Sequence, residues 1–206
     1  MENNSFDRFL RLSQKQFQQN KTMTNNLKGK VALVTGGTTG IGKETAIAFA
    51  RTGAKVVVAG RGIEAGEATV DSIKQTGGEA TFIKVDISQA AEVEALIAKT
   101  VETCGSLDCA FNNAGTEGKL APITELTEAD LDKVIDINLK GTWYCLKYEI
   151  TQMLKQGGGA IVNTSSGAGE VGMANLSPYC ASKHGVMGLT KSLAIEYAKQ
   201  GIRISA

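Results

Sequence analysis

Tyr179 and Lys183 stand four residues apart in the run Tyr179-Cys180-Ala181-Ser182-Lys183. On a helix that spacing puts both side chains on one face. The pair suits proton transfer to or from an oxygen. A tyrosine hydroxyl has a reference pKa near ~10, too high for easy exchange at neutral pH. A lysine cation beside it favours the phenolate, and a helix N-terminus acts in the same direction. Ser177-Pro178 just upstream reads as the opening of such a helix, with serine as N-cap and proline as its first residue. Ser165-Ser166 directly follows the apolar run Ala160-Ile161-Val162-Asn163. A hydroxyl there can hydrogen-bond a substrate oxygen as charge develops, or it can cap a turn, the commoner fate of serine. His184 sits beside Lys183. Adjacent helical residues point about 100° apart, which makes it a bystander.

Near the other end of the chain, Thr35-Gly36-Gly37-Thr38-Thr39-Gly40-Ile41-Gly42 lies between an apolar run and a helical pattern. Glycines let a backbone turn tightly and approach a phosphate closely, and a helix N-terminus offers free N–H groups and a positive dipole end. One reading is a tight turn with no ligand. A second is a P-loop, because Gly37 to Lys43 matches G-x-x-x-x-G-K and Asp86 could stand as a further metal carboxylate. Against it, Glu44 occupies the place where a hydroxyl should meet Mg²⁺. The third is a dinucleotide site. An NAD site places an Asp or Glu about 20 residues beyond the glycines, on the ribose 2′-OH. Here the corresponding run is Val58-Ala59-Gly60-Arg61, without a carboxylate. Arg61 suits a 2′-phosphate and Gly60 leaves room for one, although Arg61 also reads as a solvated loop charge. The expected cofactor is NADP(H) in preference to NAD(H), which stays open as an alternative.

The elements between these sites alternate. Strands are predicted at Val31–Val34, Lys55–Ala59, Phe82–Val85, Leu107–Phe111, Ala160–Asn163 and from Ile202. Helices are predicted over Ile41–Arg51, over 63–76, and from an N-cap at Ser88 to about Thr103. A long helix is expected to open at the capping box Thr127-Glu128-Ala129-Asp130. Alternating apolar strands and helices imply an α/β fold: a Rossmann-like, doubly wound parallel sheet in three αβα layers. Ligands in such sheets bind beyond the carboxyl ends of the strands, near the switch point. One domain is expected over 27–206. Residues 1–26 are rich in Asn and Gln, with Phe6, Phe9, Leu10 and Phe17 spaced as one face of a short helix. They read as an N-terminal arm rather than a targeting peptide.

With 206 residues and a formal net charge of +1, the chain carries no basic field for nucleic acid or anionic lipid. No apolar run approaches the ~20 residues needed to span a bilayer. Four cysteines without a C-x-x-C pair, and a single histidine, argue against zinc. Reduced thiols and a cytoplasmic location are expected.

At this point the chain resembles the short-chain dehydrogenase/reductase family, from about Leu27 to Ala206. The resemblance rests on the Thr35–Gly42 turn, Asn112-Asn113-Ala114-Gly115, Asn138, a serine after the fifth strand and Tyr179 with Lys183, in the family's order. It implies Tyr179 as acid and base, Lys183 on the nicotinamide ribose, and Asn138 holding a water in the proton relay. It implies Ser166 rather than Ser165 on the substrate oxygen, by the family's serine-to-tyrosine spacing. It also implies cofactor contacts from Gly36, Thr38, Thr39, Gly40, Ile41, Gly42, Asp86 (at the adenine ring), Asn112, Ala114 and Gly115, together with Arg61, Tyr179 and Lys183. The family normally continues past the position of Ala206 through a Pro-Gly loop, a substrate-covering segment and a last strand. The expectation is therefore a C-terminally truncated sheet with one exposed edge. An active reductase or dehydrogenase and a cofactor-binding but inactive protein stand as alternatives, and a full-length parent is expected to be a homo-oligomer. The partner is a small carbonyl or alcohol. The loops 116–121 and 167–176 do not choose among a secondary alcohol, a sugar and a 3-oxoacyl thioester.

Overall fold

A computed structural model describes residues 26–206, so the expected N-terminal arm lies outside the described residues apart from Asn26. The elements follow in the order β1 (Val31–Thr35), α1 (Gly40–Arg51), β2 (Lys55–Gly60), α2 (Ile63–Gln75), β3 (Glu79–Lys84), α3 (Ala90–Cys104), β4 (Cys109–Asn112), α4 (Glu128–Val134), α5 (Gly141–Gln156), β5 (Gly159–Asn163), α6 (Ser177–Tyr197) and β6 (Ile202–Ser205). The strands form one sheet in the order β3-β2-β1-β4-β5-β6, and every neighbouring pair is parallel. The sheet is the three-layer, Rossmann-like arrangement expected. The chain reverses its direction of winding between β1 and β4, where the loops leaving the two strands part and open a crevice.

Alternation along the strands divides the core. Val31 and Leu33 of β1 pack with Leu96 of α3 and Leu146 and Met153 of α5, with Leu189 and Leu193 of α6 against them. Ala32 and Val34 point the other way, onto Ala46 and Ala50 of α1 and Val70 and Ile73 of α2. Successive strand residues face opposite sides, so an unbroken apolar run is what two covered faces demand.

Five local expectations need correction. β3 begins at Glu79 rather than Phe82, because Lys55–Gly60 of β2 pairs residue for residue with Glu79–Lys84. β4 is shorter and shifted, at Cys109–Asn112. Ser88 does not cap α3: its hydroxyl donates to Asp86 Oδ1 at 2.8 Å, and Gln89 takes the N-cap position. Leu176, not Ser177, is the N-cap of α6, with proline still in the first turn. The capping box of Thr127 and Asp130 is present. The long helix that it opens is interrupted, however, by a π turn at Ile135–Lys140 between α4 and α5.

Candidate active site

The glycine-rich turn leaves β1 with positive φ at Gly36 (63°) and Gly40 (52°), a backbone region that favours glycine. At Gly42 the need is steric. A Cβ there would lie 2.1 Å from Gly36 O, so α1 could not settle on the turn. Thr39, the N-cap of α1, makes no side-chain cap bond, which leaves first-turn N–H groups pointing outward for an anion.

A cleft of about 410 Å³ opens over this turn, bounded by Thr38, Arg61, Asp86 and the segment Asn113–Thr116. Gly60 packs closely under Thr38, and Arg61 is exposed at the rim. Asp86 stands on the wall, its Oδ1 also accepting the Ser88 N–H at 3.0 Å. Thr35 and Asn113 hold the cleft floor. Thr35 Oγ1 accepts from Asn113 N at 3.1 Å and Ala114 N at 3.3 Å. Asn113 Nδ2 donates to Gly36 O at 3.2 Å. These bonds clasp the exits of β1 and β4. Gly36, Thr38, Thr39, Ala114 and Gly115 line the cleft. Gly42 is buried behind the turn, and Gly40 and Ile41 are exposed in the first turn of α1. The Asn112 side chain turns away from the cleft into the core, where it bonds Glu149 and Asn163.

The far end of the cleft meets α6. A Cβ on Gly115 would come within 3.8 Å of Lys183 Nζ and 3.2 Å of Asn138 Oδ1. Tyr179 and Lys183 lie one turn apart, with the ammonium 5.6 Å from the centre of the tyrosine ring. Lys183 is only 5% exposed, and its ammonium donates to Thr164 O at 2.7 Å. Burial lowers its pKa from the usual lysine value. Ser166 Oγ accepts the Ala168 N–H at 3.2 Å, capping the short turn Gly167–Gly169. As a hydroxyl it keeps a proton to donate. Ser165 Oγ is buried without a partner, against Gly169.

Asn138 lies in the π turn and is buried. Its Oδ1 accepts Thr116 N at 2.8 Å, while Nδ2 donates to Thr116 O at 2.8 Å and to Ser182 Oγ at 3.1 Å. Ser182 Oγ in turn donates to Tyr179 O at 2.7 Å. The side chain of Asn138 therefore ties the cleft to α6, and its main-chain carbonyl accepts Thr142 Oγ1 at 2.7 Å. Ser182, inside the Tyr-Lys run, carries no signal of this link in the sequence, since its partner Asn138 lies 44 residues away. His184 is exposed, with Nδ1 2.9 Å from Cys180 O. The two loops flanking Tyr179 are joined, because Ala121 N donates to Asn175 O at 3.1 Å. Met173 N donates to Cys180 Sγ at 3.3 Å.

The profile of the short chain dehydrogenase family matches residues 30–206. The chain belongs to the short chain dehydrogenase family. This is a family of oxidoreductases acting on alcohols and ketones, and membership sets aside the P-loop alternative. Among relatives, the chain is 45% identical over 186 residues to cyclohexanol dehydrogenase of Acinetobacter sp. (strain SE19), covering 90% of this chain and 74% of that one. It is also similar to two solved structures. An actinorhodin polyketide ketoreductase variant with NADPH has a TM-score of 0.83 and 39% identity, over 85% of this chain and 68% of that one. An NAD⁺-bound xylitol dehydrogenase has a TM-score of 0.85 and 34% identity, over 87% and 70%. The site fits a nicotinamide dinucleotide: the glycine cradle, the uncapped start of α1 and the continuity of the cleft with Lys183 suit an elongated, phosphate-bearing ligand. No helix among the described residues is long and apolar enough to cross a membrane.

Proposed function

We propose that this short chain dehydrogenase transfers a hydride between NADP(H) and a small carbonyl or secondary-alcohol substrate, with Tyr179 as general acid and base. The observation that carries the reading is the meeting of the cleft with the Tyr179–Lys183 pair beside Gly115. When bound, the nicotinamide supplies or accepts the hydride. Gly36, Thr38 and Thr39, with the N–H groups of Gly40, Ile41 and Gly42, hold the pyrophosphate. Arg61 pairs with the 2′-phosphate, and the absence of a carboxylate at the end of β2 supports NADP(H). Asp86 lies by the adenine, and Ala114 and Gly115, with the main chain of Asn112, run along the cofactor. Lys183, held on Thr164 O, bonds the nicotinamide ribose and brings a positive charge to the tyrosine. Tyr179 gives a proton to the ketone oxygen in reduction and takes it from the hydroxyl in oxidation. Ser166 donates to the same oxygen as negative charge develops there. Asn138 holds the relay water at its main-chain carbonyl and fixes α6 through Ser182.

The presence of Tyr179, Lys183 and Ser166 in the family's order, with Lys183 beside Gly115 of the cleft, weighs against the inactive alternative. A cytoplasmic location and self-association belong to the same reading. The exposed apolar strip of Trp143 and Leu154 on α5, beside Tyr197 on α6, supports the second. Titration with NADPH and with NADH, followed by nicotinamide fluorescence, tests the reading. Tighter NADPH binding and turnover of a carbonyl panel are expected. Failure to bind either cofactor, or turnover unchanged in Tyr179→Phe, overturns it.

A further inference from the structure

Beneath the active site, on the sheet face covered by α3, α5 and α6, lies a polar cluster that hydride transfer does not use. Glu149 of α5 is 0% exposed, Asn112 at the end of β4 is 4% exposed, and Asn163 at the end of β5 is 1% exposed. Asn112 Nδ2 donates to Glu149 Oε2 at 2.9 Å and to Asn163 Oδ1 at 3.0 Å. Asn163 Nδ2 donates to Thr190 Oγ1 of α6 at 3.0 Å, and that hydroxyl donates to Val186 O at 2.8 Å. The bonds thus run from α5 through β4 and β5 to α6.

Two atoms are left over. Glu149 Oε1 and Asn112 Oδ1 are both buried and both without a partner. With an ionised carboxyl both are acceptors, on two groups already bonded to each other, and nothing donates to either. Unsatisfied buried polar atoms are costly, and an unpaired buried charge more so. A single proton on the carboxyl resolves the conflict. It turns one orphan into a donor and the other into its acceptor, an O–H···O bond beside the existing N–H···O bond. Burial acts the same way, raising the carboxyl pKa to about 7, while the Asn112 bond pulls against it. The Cys145 thiol, one turn earlier on α5 and itself pushed up by burial, interacts with it. The groups facing it from β4, β5 and α6 are the neutral Asn112, Asn163 and Thr190.

We propose that Glu149 is a positioning residue acting as a neutral acid: its carboxyl proton bridges to the Asn112 amide oxygen and locks the ends of β4 and β5 in the placement the active site needs. Asn112 and Asn163 are register partners and the last residues of their strands. Directly after them come Asn113–Gly115 at the cleft and Thr164–Ser166 at Lys183. The functional half of this inference rests on the proposed oxidoreductase activity; the protonation and the locking do not.

The test compares wild type with Glu149→Gln, which stays neutral and can donate to Asn112, and Glu149→Leu, which can do neither. Each is studied without ligand about one unit below and two units above the carboxyl pKa of about 7. At the lower pH the wild-type infrared spectrum should show a protonated-carboxyl band that Glu149→Gln lacks. At the higher pH, amide exchange at 113–115 and 164–166 should quicken about tenfold in wild type relative to 32–34, after correction for intrinsic rates, but not in Glu149→Gln. Glu149→Leu should exchange fast at both. NADPH dissociation constants should follow the same pattern, with Glu149→Gln within about twofold of wild type at the lower pH. The proposal is overturned if the band is missing, if Glu149→Gln loosens as Glu149→Leu does, or if wild type and Glu149→Gln respond alike to alkali. Should Glu149→Leu fail to fold, the other two decide the matter. If the exchange pattern holds but no form binds NADPH, the oxidoreductase reading fails and the lock stands.

Discussion

Two helical glycines should respond to alanine with opposite signs. Gly188 lies within α6, and a Cβ there meets nothing within 4 Å. Alanine in a helix interior is favoured over glycine by about 1 kcal/mol, through a smaller loss of backbone entropy. Gly188→Ala should therefore gain about 0.5–1 kcal/mol. Gly42 is also helical, but its Cβ would lie 2.1 Å from Gly36 O and 2.6 Å from Asn113 Nδ2. The first of these is a backbone atom that cannot rotate aside, so the turn or α1 must shift by more than ~1 Å to restore van der Waals contact. Overpacking costs about 1–3 kcal/mol, and a 2.1 Å approach to a backbone atom belongs in the upper part of that range, about 2–3 kcal/mol, so a net loss of about 1–2 kcal/mol remains after the propensity gain. Thermal unfolding at one protein concentration should rise by a few degrees in Gly188→Ala and fall by a few in Gly42→Ala. Because the shift falls on the turn proposed to cradle the phosphates, Gly42→Ala should also weaken NADPH about tenfold or more, while Gly188→Ala should not. A Gly42→Ala protein as stable as wild type with unchanged NADPH affinity would refute the steric argument and the placement of the cofactor on this turn.

Tyr179→Phe should reduce turnover by at least about a hundredfold, the usual worth of a positioned general acid, and leave NADPH binding within about twofold by fluorescence titration. Arg61→Asp should reverse the cofactor preference, weakening NADPH by about ten- to a hundredfold through loss of charge-assisted bonds to the 2′-phosphate; unchanged selectivity would make Arg61 a solvated charge only. Glu149 also makes stability depend on pH. Its folded pKa is raised from 4.5 to about 7, so its contribution is fully present below the unfolded value and is lost as pH rises through the folded one. Relative to Glu149→Gln, wild type should lose about 2–3 kcal/mol of denaturant-measured stability between about pH 5 and about pH 8, and a constant difference would mean that the carboxyl is already ionised or solvated.

The parts of this protein that speak through local pattern were readable in advance. The valine-rich run Lys55–Gly60 and the glycines of the turn carry their own signals. So does the capping box at Thr127, because each depends on residues a few places apart. Edges and caps were less legible. β3 is half-buried along its length, so its start at Glu79 follows from pairing with β2 rather than from hydrophobicity. Ser88 looked like a cap because the hydroxyl type was right, and it went instead to Asp86. The groups missed outright act across long separations. Thr35 meets Asn113 across 78 positions, Ser182 meets Asn138 across 44, and Glu149 meets Asn112 across 37. A glutamate in a helical pattern gives no hint that its carboxyl faces inward, since most are solvated. Asn112 shows the same limit, for its residue type suits a ligand as well as a core.

The π turn at Ile135–Lys140 has a consequence for how this region tolerates insertions and deletions. One residue advances an α-helix by about 100°, so the widened turn works as a phase shifter between two otherwise regular helices. It lets Val134 on one side and Cys145, Glu149 and Met153 on the other all face inward, while Asn138 stands at the junction and reaches both Thr116 and Ser182. Deleting one residue here would restore a plain α-helix and rotate one half against the other, exposing either the Asn138 contacts or the Glu149 cluster. Exchanging this helix piecemeal with a relative would work only where both carry the same extra residue.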